Sequence, residues 1–169
     1  SGSDKMFISN IGQHSIEEVN LGKKGADYGW PYREGTFLFD PNANHEVVYP
    51  LPANDSNHYT HPVIQYDHDE GNAISAGVVY VGKIKALQGK YIFGDIPRGF
   101  LFFAENKEII PGQQATIKKL QVEMDGVKTD LETITKNTRV DLRIGTDHTG
   151  EIYLFTKSNG EVYKVVDMK

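Results

Sequence analysis

The chain has 169 residues, a formal net charge of −5 at pH 7 and no cysteine; 38% of its residues are hydrophobic and 24% are charged. This composition is that of a folded globular protein, and it excludes disulfides, thiol catalysis and cysteine-ligated zinc. The acidic balance, without a basic stripe, argues against nucleic acid as a partner, and no apolar run reaches the roughly 18 residues needed to span a bilayer. We predict one domain over residues 4–169 and interpret residues 1–3 as a cloning scar.

Short strand patterns separated by Gly, Asn, Asp and Pro turns follow one another along the chain. Aromatic and β-branched residues are enriched in these runs, as on a half-buried pleated surface, and helical periodicity is nearly missing. The sequence therefore predicts an all-β fold. The predicted strands cover residues 5–9, 17–21, 77–81, 90–93, 100–103, 117–122, 151–155 and 161–166.

Two hairpin patterns repeat along the chain. Gly89 and Gly99, which bracket one predicted strand and its turn, recur as Gly150 and Gly160, an offset of 61 residues. The Asn-Gly pair that ends at Gly160 predicts a type I′ turn, because both residue types tolerate positive φ. A looser third copy pairs the strands at residues 5–9 and 17–21.

Repeated antiparallel hairpins of this kind are typical of β-propeller blades, which have four strands each. The hairpin count predicts about three such blades. An ordinary β-sandwich with coincidental hairpins is the alternative. The irregular stretch at residues 35–61 is then a long loop on a blade face, where function is common, and residues 125–137 are a polar connection.

The first candidate site lies between Gly12 and Tyr28. Gly12 and Gln13 form a glycine turn, the carboxylates of Glu17 and Glu18 follow, and Tyr28 opens an aromatic-glycine corner. Calcium binds about six to eight oxygens from carboxylates and turn carbonyls, and this run can supply both kinds. Because neighbouring strand residues face opposite sides, we expect one of the two glutamates to lie in solvent. A plain strand and turn without metal is the alternative.

Two further groups carry possible chemistry. His68, flanked by three acidic residues, could act as a general base near neutral pH or could be a loop histidine beside solvated acids. Alternation predicts Arg139, Asp141 and Arg143 on one face of a strand. Arginine forks bind carboxylates well, and an ion-pair ladder between blades would have the same pattern. Arg98 is interpreted as a turn residue.

These motifs resemble, in order and across about residues 6–166, those of the soluble quinoprotein sugar dehydrogenases, the glucose/sorbosone dehydrogenase family. The matching segments are residues 11–31, 66–80 and 139–150. The resemblance implies a six-bladed β-propeller, of which this chain supplies the C-terminal part. It also implies pyrroloquinoline quinone (PQQ) and calcium as cofactors, and a periplasmic or secreted protein, although no signal peptide pattern precedes the first strand.

The resemblance assigns roles to individual residues. Gly12 and Gln13 match the turn whose carbonyls approach the calcium that binds the cofactor, although family members often have proline at the position of Gln13. Glu18 and Tyr28 match positions that hold a second, structural calcium. Arginines near Arg139 and Arg143 contact the cofactor carboxylates in the family.

Family members oxidise an aldose at its anomeric carbon, with a catalytic histidine in an Asp-His-x-Gly segment of their N-terminal blades. The resemblance matches this chain to the C-terminal part, and the same string at residues 147–150 belongs to the segment that matches the family's arginine region. We therefore predict the cofactor-side part of a PQQ- and calcium-dependent sugar dehydrogenase, inactive alone and without a catalytic residue of its own. The alternative is a non-catalytic β-propeller module that binds a protein or glycan and uses calcium for structure. Exposed blade faces and sheet edges predict a homo-oligomer that covers them.

Overall fold

The computed structural model describes residues 4–56 and 58–168, so the predicted cloning scar at residues 1–3 lies outside the described residues. The described chain is mostly antiparallel sheet, with one short α-helix and two 3₁₀ turns, which confirms the predicted all-β class. No helix in residues 4–56 or 58–168 combines the length and apolar character needed to cross a membrane.

The strands and helices have the following bounds: β1 Phe7–Asn10, β2 Ile16–Leu21, β3 Arg33–Glu34, β4 Phe37–Leu38, β5 Ile64–Asp67, β6 Val78–Val79, β7 Lys90–Gly94, β8 Leu101–Glu105, β9 Lys118–Leu120, β10 Val122–Met124, β11 Val127–Thr129, α1 Leu131–Thr135, β12 Leu142–Thr146, β13 Ile152–Thr156 and β14 Glu161–Lys164, with 3₁₀ turns at Lys85–Leu87 and Asn106–Glu108. Most predicted strands are present within a few residues of their predicted positions.

Three larger sheets follow one another in chain order. The first sheet has the order β1-β2-β5, the central sheet β6-β7-β8-β9 and the third sheet β12-β13-β14; the small pairs β3-β4 and β10-β11 complete the set among the described residues. This agrees with about three repeated units, although only the central sheet has four strands. Three sheets do not close a six-bladed ring, so the propeller itself stays a prediction.

The repeat is visible in the backbone. Gly89 and Gly99 flank strand β7, and their counterparts Gly150 and Gly160 flank β13; all four have positive φ, between 71° and 83°. The β13–β14 hairpin is closed by the pair Thr156 and Glu161. Of its four turn residues only Gly160 has positive φ, so the predicted type I′ turn is wrong. A four-residue loop reverses the chain through a type I-like turn, which needs only one left-handed residue.

The predicted connection at residues 125–137 is also wrong, because it contains strand β11 and helix α1. Asp125 and Gly126 both have positive φ and join β10 to β11 in a two-residue hairpin, the geometry that an Asp-Gly pair favours. Asp130 caps α1 by accepting a hydrogen bond of 2.7 Å from the Thr133 amide. Both signals were readable in the sequence.

The core has two parts, one on each face of the central sheet. Tyr91 and Phe93 of β7 pack toward the first sheet, and Phe93 stacks on Tyr66 of β5 and on Phe102 of the neighbouring strand β8. The intervening Ile92 packs toward the third sheet with Leu142. Because β7 is covered on both faces, its apolar residues form a continuous run and do not alternate with polar ones. The stacking of three sheets in series differs from the two layers of a β-sandwich.

Candidate functional site

Strand β2 carries the acidic part of the candidate site. Glu17 is 0% exposed and Glu18 is 4% exposed, so the expectation that one of them lies in solvent is wrong. They do point to opposite faces, since the β2–β5 register places Glu17 opposite Tyr66 and Glu18 opposite Gln65. Both faces are covered, because the central sheet packs on one side and the segment that carries Glu34 packs on the other.

The Glu18 carboxylate is held by two amides. Its Oε1 accepts hydrogen bonds from Asn10 Nδ2 at 3.1 Å and from Asn20 Nδ2 at 2.8 Å. Burial raises the pKa of Glu18 above its usual range; the amide bonds oppose this, and the nearby charge of Glu34 adds to it. The side-chain oxygen of Asn20, Oδ1, is buried and has no hydrogen-bond partner among the described residues. Some of the oxygen acceptors near Glu18 therefore have no donor, although Arg33, which is paired with Asp55, lines the same cavity and has a buried Nε without a partner.

Glu34, in β3, fixes the turn that precedes β2. Its Oε1 accepts hydrogen bonds from the amides of His14, Ser15 and Ile16 at 3.1, 2.7 and 2.8 Å, while its buried Oε2 has no partner. Gly12 lies against this clamp: a Cβ there would be 2.1 Å from the Ile16 carbonyl oxygen and 2.6 Å from Glu34 Oε1. The turn is therefore closed to any residue larger than glycine.

Two adjoining cavities bring most of the predicted calcium ligands together. Gly12, Gln13 and Glu18 line one cavity with a volume of about 150 Å³, together with Glu34. Tyr28 lines the neighbouring cavity of about 500 Å³. Both cavities share two residues, Asn10 and Trp30, on their walls. The phenol of Tyr28 donates to the Leu21 carbonyl at 3.0 Å, so this side chain is fixed at the cavity wall.

The predicted arginine face is not formed, and this expectation is wrong. Asp141 has a left-handed backbone (φ 53°), and β12 begins only at Leu142, so Arg139 precedes the strand that carries Arg143. Arg139 Nε contacts Asp141 Oδ1 at 3.0 Å, with the Arg139 side chain 70% exposed. Arg143 is exposed and donates to the Leu142 carbonyl at 2.7 Å. Neither arginine lines the two cavities.

His68 contacts a buried acid and not the acids beside it in sequence. Its Nε2 lies 3.0 Å from Glu17 Oε1, and the other oxygen of Glu17 accepts from the Ile74 amide at 2.8 Å. Burial raises the pKa of Glu17 above its usual range, against the opposing hydrogen bonds from the Ile74 amide and His68. The pairing required the β2–β5 register, which the sequence did not reveal.

Sequence reasoning missed Asn10, Asn20 and Glu34. The spacing of Glu18 and Asn20, two residues apart on one strand, could have placed them on one face. Glu34 reaches the site only through tertiary packing. Within residues 4–56 and 58–168, no group of three or more His, Asp or Glu side chains converges as a metal site. Calcium also binds amide and backbone oxygens, so a calcium site does not require three such side chains.

Comparison with known proteins gives a likeness of fold. No protein-family model matches the chain. It is 28% identical over 103 residues to the HIPL1 protein of Arabidopsis thaliana and 29% identical over 103 residues to the HIPL2 protein of the same plant. These matches cover 53% and 55% of this chain but only 14% of each relative.

Two solved structures superpose over nearly the whole chain. The soluble aldose sugar dehydrogenase of Escherichia coli, in its apo form, has a TM-score of 0.64 at 19% identity, over 98% of this chain and 43% of the enzyme. A glucose dehydrogenase has a TM-score of 0.59 at 17% identity, over 97% of this chain and 41% of that protein. The resemblance to sugar dehydrogenases is thus confirmed for the fold, and the chain spans less than half of either enzyme.

Proposed function

We propose that this chain is the cofactor-side part of a sugar dehydrogenase that depends on PQQ and calcium. The observation that carries the proposal is that Gly12, Gln13 and Glu18 line one cavity with Glu34, whose buried Oε2 has no partner. Asn20, whose buried Oδ1 also has no partner, lines the adjoining cavity. The parent protein would oxidise an aldose outside the cytoplasm. The chain alone would be inactive, because the family's catalytic histidine belongs to N-terminal blades that this part does not supply. The Asp-His-x-Gly string at residues 147–150 forms the turn between β12 and β13.

The residues present fit a calcium ion. A buried acceptor without a partner reduces the stability of the folded state by roughly 1–3 kcal/mol. Asn20 Oδ1 and Glu34 Oε2 are two such atoms. Both are hard oxygen donors, as is the carboxylate of Glu18, and calcium prefers such ligands. A dication beside Glu18 would also favour its ionised form and offset the cost of burying it. Tyr28, on the adjoining cavity, would close the site at its edge.

Cofactor binding is proposed to involve the turn at Gly12 and Gln13 together with Arg139 and Arg143. When bound, PQQ supplies a quinone that accepts the hydride of the sugar. The support from this chain is the accessibility of both guanidinium groups. Arg143 is exposed, and among residues 4–56 and 58–168 its side chain hydrogen-bonds to one backbone carbonyl, so most of its donors are available to an anionic ligand.

The test is a calorimetric titration of PQQ into the purified chain, first with calcium and then with a chelator. The proposal expects binding that needs calcium and is abolished by Arg143→Ala. Arg98→Ala is the matched control, because Arg98 sits in a turn against Glu132 and the Phe100 ring. Absence of PQQ binding in both conditions contradicts the proposal.

A second candidate is a non-catalytic binding module that uses calcium for structure. The observation in its favour is the position of Arg139, which precedes β12 and is paired with Asp141, so that the two arginines share no strand face. In this case calcium binds, PQQ does not, and Arg143→Ala changes neither result.

We also propose that the chain self-associates through an outer sheet face. Phe155 and Val162 are directly opposite each other on β13 and β14, and both are exposed. An exposed apolar pair on a sheet face suits a second copy of the chain. Light scattering coupled to gel filtration should show a dimer that Phe155→Lys disrupts; a monomer at micromolar concentration contradicts this proposal.

A further inference from the structure

His68, which follows β5, lies beside Glu17 of β2 in the arrangement used by metal-binding histidines. His68 Nε2 lies 3.0 Å from Glu17 Oε1, and the Glu17 carboxyl is fully buried while the His68 side chain is 26% exposed. Histidines that ligate metals commonly donate their other ring N–H to a carboxylate, which fixes the tautomer and the ring orientation. If Nε2 of His68 donates to Glu17, Nδ1 carries the free lone pair that could bind a metal. Nδ1 makes no hydrogen bond to a described residue.

A second imidazole lies next to it. The ring centroids of His14 and His68 are 6.4 Å apart, with the ring planes inclined by 37°. His14 is exposed, and its ring makes no hydrogen bond to a described residue. Its backbone is nevertheless fixed, because its amide and those of the next two residues bond to buried Glu34. A buried carboxylate therefore holds each histidine, Glu34 through the backbone of the His14 turn and Glu17 through the ring of His68.

We propose that His14 and His68 bind a first-row transition-metal dication of the zinc class, with Glu17 as the residue that positions His68. Two imidazoles bound to one tetrahedral zinc have ring centroids about 5 Å apart, since Zn–N is about 2.0–2.1 Å. The exposed His14 side chain can close the difference from 6.4 Å by rotation. Water completes the coordination, and neutral imidazole is a preferred ligand of zinc, copper and nickel.

This site is separate from the proposed calcium site. Glu17 and Glu18 point to opposite faces of β2, and the ligands differ in kind, nitrogen on one face and oxygen on the other. A metal that prefers nitrogen would therefore not compete for the Glu18 cavity. Zinc binding at His14 and His68 neither requires PQQ nor depends on the proposed dehydrogenase function.

The experiment is a titration of Zn²⁺ by calorimetry into the full chain in saturating calcium, so that the oxygen-lined cavity is not available. We expect one zinc equivalent in the native chain, with affinity reduced at least about tenfold in His14→Ala and in His68→Ala. Glu17→Gln keeps an acceptor for the Ile74 amide but places an amide against His68. It should weaken binding by about 10–100-fold, as loss of an orienting carboxylate does.

His148→Ala is the matched control, because His148 is an exposed turn histidine in the third sheet and should bind zinc no differently from the native chain. His14→Ala removes a ring that contributes no hydrogen bond, so the variant keeps its fold and the result is decisive. Equal zinc affinity in the native chain and His14→Ala would overturn the proposal, as would the absence of any zinc binding by the native chain.

Discussion

Buried carboxyl groups occur at both ends of this chain, but their surroundings are opposite. In the third sheet, Glu151 receives hydrogen bonds from the Tyr80 hydroxyl at 2.6 Å and from the Lys83 amide at 3.0 Å, and these bonds lower the pKa of Glu151. Burial, in contrast, raises the pKa of Glu17 and Glu18 in the first sheet. Hydrogen bonds outweigh burial at Glu151, whereas burial outweighs the hydrogen bonds that Glu17 and Glu18 also accept.

The difference separates structural acids from candidate ligands. Glu151 joins the third sheet to the segment after β6, and the chain itself supplies all the donors it needs. Glu18 accepts from two side-chain amides, but the oxygens Asn20 Oδ1 and Glu34 Oε2 have no donor, and Arg33 on the cavity wall is paired with Asp55. An anion among acceptors is stable only if it is protonated or if a cation joins it. We infer that the outer face of the first sheet is arranged for a cation.

The largest expected effect lies in the apolar core that joins the first and central sheets. Phe93→Ala removes a ring packed against Tyr66 and Phe102, and cavity formation should reduce the free energy of unfolding by about 3–5 kcal/mol. Urea unfolding measures it. The exposed Phe155→Ala should cost less than about 1 kcal/mol. Similar losses for the two variants would mean that the first sheet is not held by this core.

A smaller effect is expected at the turn before β2. Gly12→Ala forces a Cβ against the Ile16 carbonyl oxygen and Glu34, so the turn must move and calcium affinity should fall by at least about tenfold, or about 1.4 kcal/mol. Calorimetry measures the affinity. Gly25→Ala is the control, because Gly25 has positive φ but open space around it. Equal calcium affinity in the two variants would separate this turn from the metal site.

The pH dependence of stability distinguishes Glu18 from Glu151. The pKa of Glu18 in the folded chain lies above its ordinary value of 4.5, so its stabilising contribution is present at low pH and is lost as pH rises through the folded pKa. Glu18→Gln should therefore stabilise the calcium-free chain at pH 7.

Glu151 behaves in the opposite sense. Its folded pKa is lowered, so its contribution is present above 4.5 and is lost as pH falls through the folded pKa, and Glu151→Gln should destabilise at pH 7. Thermal unfolding in chelator at pH 7 and pH 4 measures both variants. The same direction of change for both at pH 7 would remove the distinction between the two acids.

The smallest effect is expected for Arg139→Ala. The ion pair with Asp141 is exposed, and such pairs contribute about 0–1 kcal/mol to stability. Chemical unfolding should therefore detect almost no change, less than for any core variant. A loss above about 2 kcal/mol would show that Arg139 has a structural role beyond this pair.

Local patterns in the sequence predicted the fold class and the positions of most strands. Turns with positive φ favour glycine, because side chains disfavour that conformation. The repeated glycines Gly89 and Gly150 both have positive φ, so their positions in the sequence mark turns in the structure. The Asp125-Gly126 pair is an equally local signal for the turn between β10 and β11.

The site was only partly predictable. Gly12, Gln13 and Glu18 are close in sequence, and the structure brings them to one cavity. The contributions of Glu34 and of His68 to Glu17 depend on the packing of distant segments, which periodicity does not reveal. The expected arginine face failed because one left-handed residue, Asp141, delays the start of β12.

The central claim is that the outer face of the first sheet binds a cation through Glu18. The most direct test is a calorimetric titration of calcium into the chelator-treated native chain and into Glu18→Gln. The account predicts one calcium per native chain and at least about tenfold weaker binding in the variant, in which a neutral amide replaces the carboxylate ligand. Equal binding by the two proteins, or no calcium binding by the native chain, would contradict it.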